Sequence, residues 1–271
     1  MIKMSLLNID QLNDFGDELV PYKDLLDIKK ARVVCVSDTH NHHRSLNIPQ
    51  GDIFIHAGDI TQRGTLRELK DFNEWLGSIP HQHKIVIGGN HDEILEDPSL
   101  DKNEVFTNCT YLEHTSIEVY GWKVYGLPCS LKLFSNHTKP AYVPGFVINL
   151  LDYLKPYKAF QLDVGTQVHC NELSRIPGDT DILISHGPPF GTRDLTTRGS
   201  MHGDKDLRYQ VEDRIRPNFH VFGHIHEAYG VATNGTTTFI NAASPKYPWA
   251  KGEFNKPIVF DIDIKHPMPS L

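Results

Sequence analysis

Residues 32–40 read RVVCVSDTH. A short run dominated by Val, closed by small and polar residues, predicts a buried strand that delivers Asp38 and His40 at its carboxyl end. The same grammar recurs downstream. DIFIH (52–56) leads into Gly58-Asp59, KIVIG (84–88) into Gly89-Asn90-His91-Asp92, DILIS (181–185) into His186-Gly187, and FHVFG (219–223) into His224-Ile225-His226. A sixth run, TFIN (238–241), carries no such tail. Ligands of layered α/β folds bind beyond the carboxyl ends of strands, so five such ends gather Asp, Asn and His into one pocket.

The residue types define the chemistry. Carboxylate, imidazole and amide oxygen suit Mn²⁺, Fe and Zn²⁺, whereas a thiolate set would indicate structural zinc or an iron–sulfur cluster. A carboxylate such as Asp59 can bridge two cations, and two cations about 3.5–4 Å apart can share a hydroxide that is nucleophilic near neutral pH. Asp-x-His or His-x-His alone is a weak signal. Five tails in order, each directly after a β-run, make a strong one.

Between the second and third runs, Thr65 and Glu68 fit a capping box, with Leu66, Leu69, Phe72 and Leu76 forming an apolar stripe. This predicts a helix ended by Gly77 and Pro80, and a strand–helix–strand crossover. Residues 115–127, TSIEVYGWKVYGL, alternate around Gly121 and predict a hairpin, so the sheets are mixed. Residues 131–180 hold a Pro- and aromatic-containing loop and a helix near 160–175. Residues 1–30 are polar and acidic and read as an N-terminal extension, leaving 31–271 as one domain.

The 271 residues suffice for one large α/β domain. A net charge of −7 argues against a broad nucleic-acid surface but not against a phosphate substrate, because bound cations reverse the charge locally. The four cysteines form no C-x-x-C pair, and a reducing compartment is the default. No signal sequence or membrane-length apolar run is present, so the expected setting is cytoplasmic, without a membrane partner.

Taken together, D-x-H, G-D, G-N-H-D, H and G-H-x-H resemble the calcineurin-like metallophosphoesterase superfamily over residues 32 to about 244. Within it, FNEWLGSIP (72–80), HGPPFGTRD (186–194) and RIRPNFHVFGHIHEAYG (214–230) resemble the metallophosphoesterase-domain-containing branch, which includes animal brain members. The resemblance implies an α/β four-layer α/β/β/α sandwich of mixed sheets flanked by helices. It also implies hydrolysis of phosphomonoesters or phosphodiesters on two divalent metal ions. For this branch the substrates are phosphodiesters, including cyclic nucleotides.

Carried over by motif, Asp38, His40 and His226 hold one ion, Asn90, His186 and His224 the other, and Asp59 bridges them. His91 binds phosphate and protonates the leaving oxygen. Some animal members have Gly where His224 stands; here the ligand set is complete. Residues 58–64, GDITQRG, resemble the G-D-x-x-D-R-G of serine/threonine phosphatases. There the Arg, here Arg63, holds phosphate. The second Asp orients the catalytic His, and Gln62 replaces it.

The loop 188–208 places Phe190, Arg193, Arg198, Lys205 and Arg208 after His186, suiting a substrate wall with Phe190 for a base and a cation for phosphate; a solvated loop is the plain alternative. His56 and His220, within β-runs, read as hydrogen-bonded core histidines. Asp92 reads as a helix cap. The expected activity is phosphodiester hydrolysis of a small nucleotide-like substrate, with Mn²⁺ first among the metals. The competing readings are a protein-binding scaffold on the same fold, as in the retromer complex, and a phosphomonoesterase or protein phosphatase. The oligomeric state is left open.

Overall fold

A computed structural model describes residues 29–132, 159–246 and 252–265. The first predicted strand, β1, spans Lys30–Val36, so its first residue falls within the stretch read as an extension. β2 (Ile53–Ala57), β3 (His83–Ile87) and β4 (Thr110–Tyr111) follow β1 in parallel register, and β13 (Ile258–Asp263) closes the other edge antiparallel, giving the order β13-β1-β2-β3-β4. The predicted hairpin is β5 (Thr115–Val119) and β6 (Trp122–Leu127), turned through Tyr120 and Gly121, both at positive φ. These strands join β9 (Ile182–Ser185), β10 (Phe219–Phe222), β11 (Gly230–Thr233) and β12 (Thr238–Asn241) in a second sheet, β11-β12-β10-β9-β6-β5. Two short strands, β7 (Ser130–Leu131) and β8 (Gln161–Leu162), pair separately.

The parallel strands are apolar on both faces, and the structure buries both. Val33, Cys35, Ile53, Ile55, Ile85 and Ile87 pack between the sheets against Val124, Ile182, Ile184, Val221 and Ile240. On the outer face of the first sheet, Val34, Val36, Phe54 and Val86 meet Leu69, Phe72, Trp75 and Leu76 of helix α1 (Leu66–Ser78). A short helix, α2 (Lys102–Val105), adds Val105 to that layer. On the outer face of the second sheet, Tyr125, Leu183, Phe222 and Phe239 meet α3 (Gln167–Ser174) and α4 (Lys205–Tyr209) through Leu173 and Leu207. The four-layer α/β/β/α sandwich is therefore as expected.

The Thr65 capping box forms, with the Thr65 hydroxyl accepting from Glu68 N and the Glu68 carboxylate from Thr65 N. The same carboxylate also accepts from Gln62 N and Arg63 N, so one side chain starts the helix and shapes the loop after Asp59. Gly77 lies inside α1 rather than ending it; the stop comes at Ile79, held extended by the following Pro80. The helix expected near 160–175 is confined to Gln167–Ser174. Within the stretch 131–180 expected to open with a loop, residues 133–158 lie outside the described residues, as does nearly all of the expected extension.

The two sheets meet at the site end. Ser37, just past β1, bridges Ala243, just past β12, and Ser244 N donates to Ser37 O at 2.8 Å.

Candidate metal centre

Asp38, His40, Asp59, Asn90, His186 and His226 are all buried, at the carboxyl ends of β1, β2, β3, β9 and β10. His224 is less enclosed, but its Nε2 is buried with no hydrogen-bond partner. The structure brings the seven into two adjoining groups. In one, His226 Nε2 lies 3.1 Å from Asp38 Oδ1 and 3.4 Å from His40 Nε2. In the other, His186 Nε2 lies 3.0 Å from Asn90 Oδ1 and 3.3 Å from Asp59 Oδ1, with the His224 ring 4.9 Å from that of His186. Asp59 sits between the groups, its Oδ2 3.8 Å from His40 Nε2.

The backbone is shaped to make this possible. Asp38, His40, Asn41, Asp59 and His224 all have positive φ, a conformation that non-glycine residues adopt at a cost and that clusters at functional sites. Hydrogen bonds between the two loops hold it: Asp38 N to Gly58 O, His40 N to Asp59 O and Asn41 N to Ile60 O, at 2.8–3.1 Å. His224 N donates to both Asp38 carboxylate oxygens. A Cβ on Gly223 would collide with Asp38 Oδ2, which explains the glycine there.

The donor set fits divalent metal ions. His186 Nδ1 lies 2.9 Å from Ala57 O and His40 Nδ1 3.3 Å from Thr61 O, so each ring donates outward and turns Nε2 toward the site, as metal-binding histidines do. Burial alone would raise the Asp38 and Asp59 carboxyls; His226 and His186 respectively override it and hold both well below the usual range. Burial lowers His40 and His224 to about 3. Burial also opposes charge on His186, but the Asp59 carboxylate prevails and raises it to about 9. The Asp38 and Asp59 carboxylates and the His40 and His224 imidazoles are thus already in the form that holds a metal, while His186 would give up a proton on binding one.

His91 is placed beside this centre. Its ring packs edge-on to His40 at 4.5 Å, and its Nε2 lies 4.0 Å from Asp59 Oδ2. Its Nδ1 lies 3.2 Å from the carbonyl oxygen of Gln62. The backbone carbonyl of Gln62 therefore faces His91, whatever the side chain at that position.

Asp92 differs from expectation. It precedes a single 3-10 turn but makes no side-chain cap bond there. Its fully buried carboxylate instead accepts from Ile60 N, Thr61 N, the Thr61 hydroxyl and Gly89 N. It ties the loop carrying Asp59 to the loop carrying Asn90.

Arg63 lines an open cleft beside the centre together with His40, His42, Gln62, Arg67 and Asp71. A smaller hollow of about 90 Å³ lies between His40, His42, Gln62, Lys246 and Phe254. Phe190 lines neither; its ring lies beneath Lys205 Nζ at 5.0 Å. Of the other loop cations, Arg193 donates to Val231 O and Arg208 pairs with Glu212. Sequence reasoning missed Phe254, which follows the last motif and reaches His42 at a ring separation of 5.8 Å.

His56 and His220 are fully buried, and burial lowers both to about 3. In the unfolded chain a histidine takes up its proton near pH 6.5. Between about pH 6.5 and 3 the unfolded state therefore binds more protons, and stability present at neutral pH is lost as pH falls through that window. Each histidine contributes at most about 1.4 kcal/mol per pH unit. Urea midpoints of the metal-free protein should fall steeply from pH 6.5 to 4.5, and the combined His56→Gln and His220→Gln variant should show a shallower slope. Equal slopes would remove these two groups as the cause.

The calcineurin-like phosphoesterase family profile matches residues 31–228. A UPF0046 protein of Caenorhabditis elegans is 37% identical over 256 residues, covering 87% of this chain and 82% of that one. Human metallophosphoesterase domain-containing protein 1 is 37% identical over 256 residues, covering 86% of this chain and 71% of its own. The crystal structure of TT1561 of Thermus thermophilus superposes with a TM-score of 0.51 at 11% identity, covering 88% of this chain and 100% of that one. At that identity the likeness bears on the fold alone.

Proposed function

The chain belongs to the calcineurin-like phosphoesterase family, a family of metal-dependent phosphoesterases, and from that premise we propose that it is a phosphodiesterase acting on a small nucleotide-like substrate, such as a cyclic nucleotide. The observation that carries this reading is the complete donor set. Seven side chains of the right types converge in two groups with Asp59 between them. Two divalent ions bound there, Mn²⁺ foremost, supply positive charge for the phosphoryl oxygens and a water-derived nucleophile at neutral pH.

The chain's own residues do the rest. With a proton on Nδ1 donated to the Gln62 carbonyl, His91 presents Nε2 toward Asp59 and the centre. When Nε2 carries a second proton, it is the nitrogen suited to contact phosphate and to deliver that proton to the leaving oxygen. Arg63 and Arg67 line the cleft, whose volume of about 680 Å³ falls in the range of roughly 300–1,000 Å³ typical of small-molecule sites, and they suit a phosphate. The net charge of −7 disfavours a long nucleic acid. All four cysteines are free, which suits a reducing, cytoplasmic setting. No helix among the described residues is long and apolar enough to cross a membrane.

With Mn²⁺ present, the purified protein should hydrolyse bis(p-nitrophenyl) phosphate and a cyclic nucleotide faster than a phosphopeptide or single-stranded DNA. Preference for the phosphopeptide would favour a protein phosphatase. Hydrolysis of none would favour the scaffold.

A further inference from the structure

Each sheet hides a histidine that the chemistry above does not use. His56 on β2 places Nε2 2.9 Å from the hydroxyl of Thr39, the residue between Asp38 and His40. His220 on β10 places Nε2 2.7 Å from the hydroxyl of Ser185, the residue before His186. In each pair the histidine lies on the strand parallel to, and next to, the one that leads to its hydroxyl partner, β2 beside β1 and β10 beside β9.

Both hydroxyls pass the bond on. Ser185 Oγ donates to Gly187 O at 2.7 Å, so its remaining role toward His220 is to accept a proton from Nε2–H. Thr39 Oγ1 faces Ile60 O at 3.4 Å, and with its proton turned that way it too accepts from its histidine at 2.9 Å. Each chain of bonds ends on a carbonyl adjacent to a ligand: Ile60 follows Asp59, and Gly187 follows His186.

The arrangement has a cost that packing alone does not explain. In both histidines Nδ1 is buried without a hydrogen-bond partner. Such a group is costly to bury, and an apolar side chain in the same place would avoid that cost. His56 sits against the Phe72 ring and His220 against Phe222 and Phe239, surroundings that would accept an apolar residue. The loop that His56 reaches is also the one with positive φ at Asp38, His40 and Asn41.

We propose that His56 and His220 are positioning residues, each dedicated to one metal. His56 acts through Thr39 on the group formed by Asp38, His40 and His226. His220 acts through Ser185 on His186, and so on the group that includes Asn90 and His224. This rests on the two-metal reading, and its readout is metal affinity rather than turnover.

The experiment is calorimetric titration of the metal-free full chain with Mn²⁺, comparing wild type with Thr39→Val and Ser185→Ala. Loss of a partner that orients a metal ligand weakens binding about 10- to 100-fold. Each variant should weaken one of two binding events by that factor, and not the same event; because each also leaves a buried imidazole N–H unpaired, its metal-free thermal midpoint falls, and the titration is run well below that midpoint. His56→Gln, which keeps a donor, should bind more tightly than His56→Phe. Wild-type affinity for both events in both variants would overturn the proposal, and so would equal weakening of both events by either variant. If wild type itself took up no Mn²⁺, the two-metal reading would fail instead.

Discussion

Asp59→Asn should lower phosphodiester hydrolysis by more than about a thousandfold while leaving the fold intact. Losing one neutral donor to a transition state costs about 100- to 1,000-fold, and Asp59 does more than one donor's work. Its Oδ1 lies 3.3 Å from His186 Nε2 and accepts from His91 N at 2.8 Å, while Oδ2 faces His40 Nε2 and His91 Nε2. One carboxylate therefore adjoins both groups and seats the residue proposed as the acid. The amide keeps the shape and one oxygen but removes a negative charge, leaving Asp38 as the one carboxylate among the seven donors. Two dications then face a single formal charge in a buried site, where unbalanced charge is expensive. Steady-state rates on bis(p-nitrophenyl) phosphate, with Mn²⁺ stoichiometry measured on the same samples, check this. An Asn variant that binds two ions and turns over like wild type would exclude Asp59 as the bridge.

Much of this site was legible before any coordinates because the chemistry is written in residue type. A strand that ends in Asp-Thr-His or His-Ile-His announces where its side chains go once the period-2 pattern stops. What stayed hidden depends on distant pairing. His56 and His220 look like any polar residue within a strand until their partners, 17 and 35 residues away, arrive beside them. The positive φ at Asp38 and Asp59 is invisible because nothing about an aspartate demands it; the loop-to-loop hydrogen bonds impose it. Strand β13 was missed despite a readable signal: IVFDID alternates, and its Val259, Asp261 and Asp263 are exposed while Ile262 is buried. An antiparallel edge strand keeps one wet face, so a search for continuous apolar runs passes over it.

Asp92 is where a motif was recognised and its physical role misread, and the corrected role makes a sharp prediction. Burial, and after it the neighbouring Asp59 carboxylate, raises the Asp92 carboxyl to about 6, so holding it ionised at neutral pH works against its surroundings. Four donors offset that cost, three of them backbone N–H groups with no strand or helix to serve them. Asp92→Asn replaces one acceptor oxygen with an NH₂ group. If the NH₂ faces Ile60 and Gly89, two N–H donors are stranded. If it faces Thr61, the Thr61 hydroxyl can turn to His91 O, 3.0 Å away, but Thr61 N–H remains unpaired. Even the better orientation leaves a buried donor unsatisfied and weakens bonds that a charge had strengthened, for a total of about 2–4 kcal/mol. The thermal midpoint of the metal-free protein should fall by about 5–15 °C. Mn²⁺ affinity should fall with it, since Gly89 and Ile60 flank Asn90 and Asp59. A helix cap would behave differently, because asparagine caps as well as aspartate does and the substitution would be nearly silent. A midpoint within a degree or two of wild type would restore the capping role and leave the two loops without their tie.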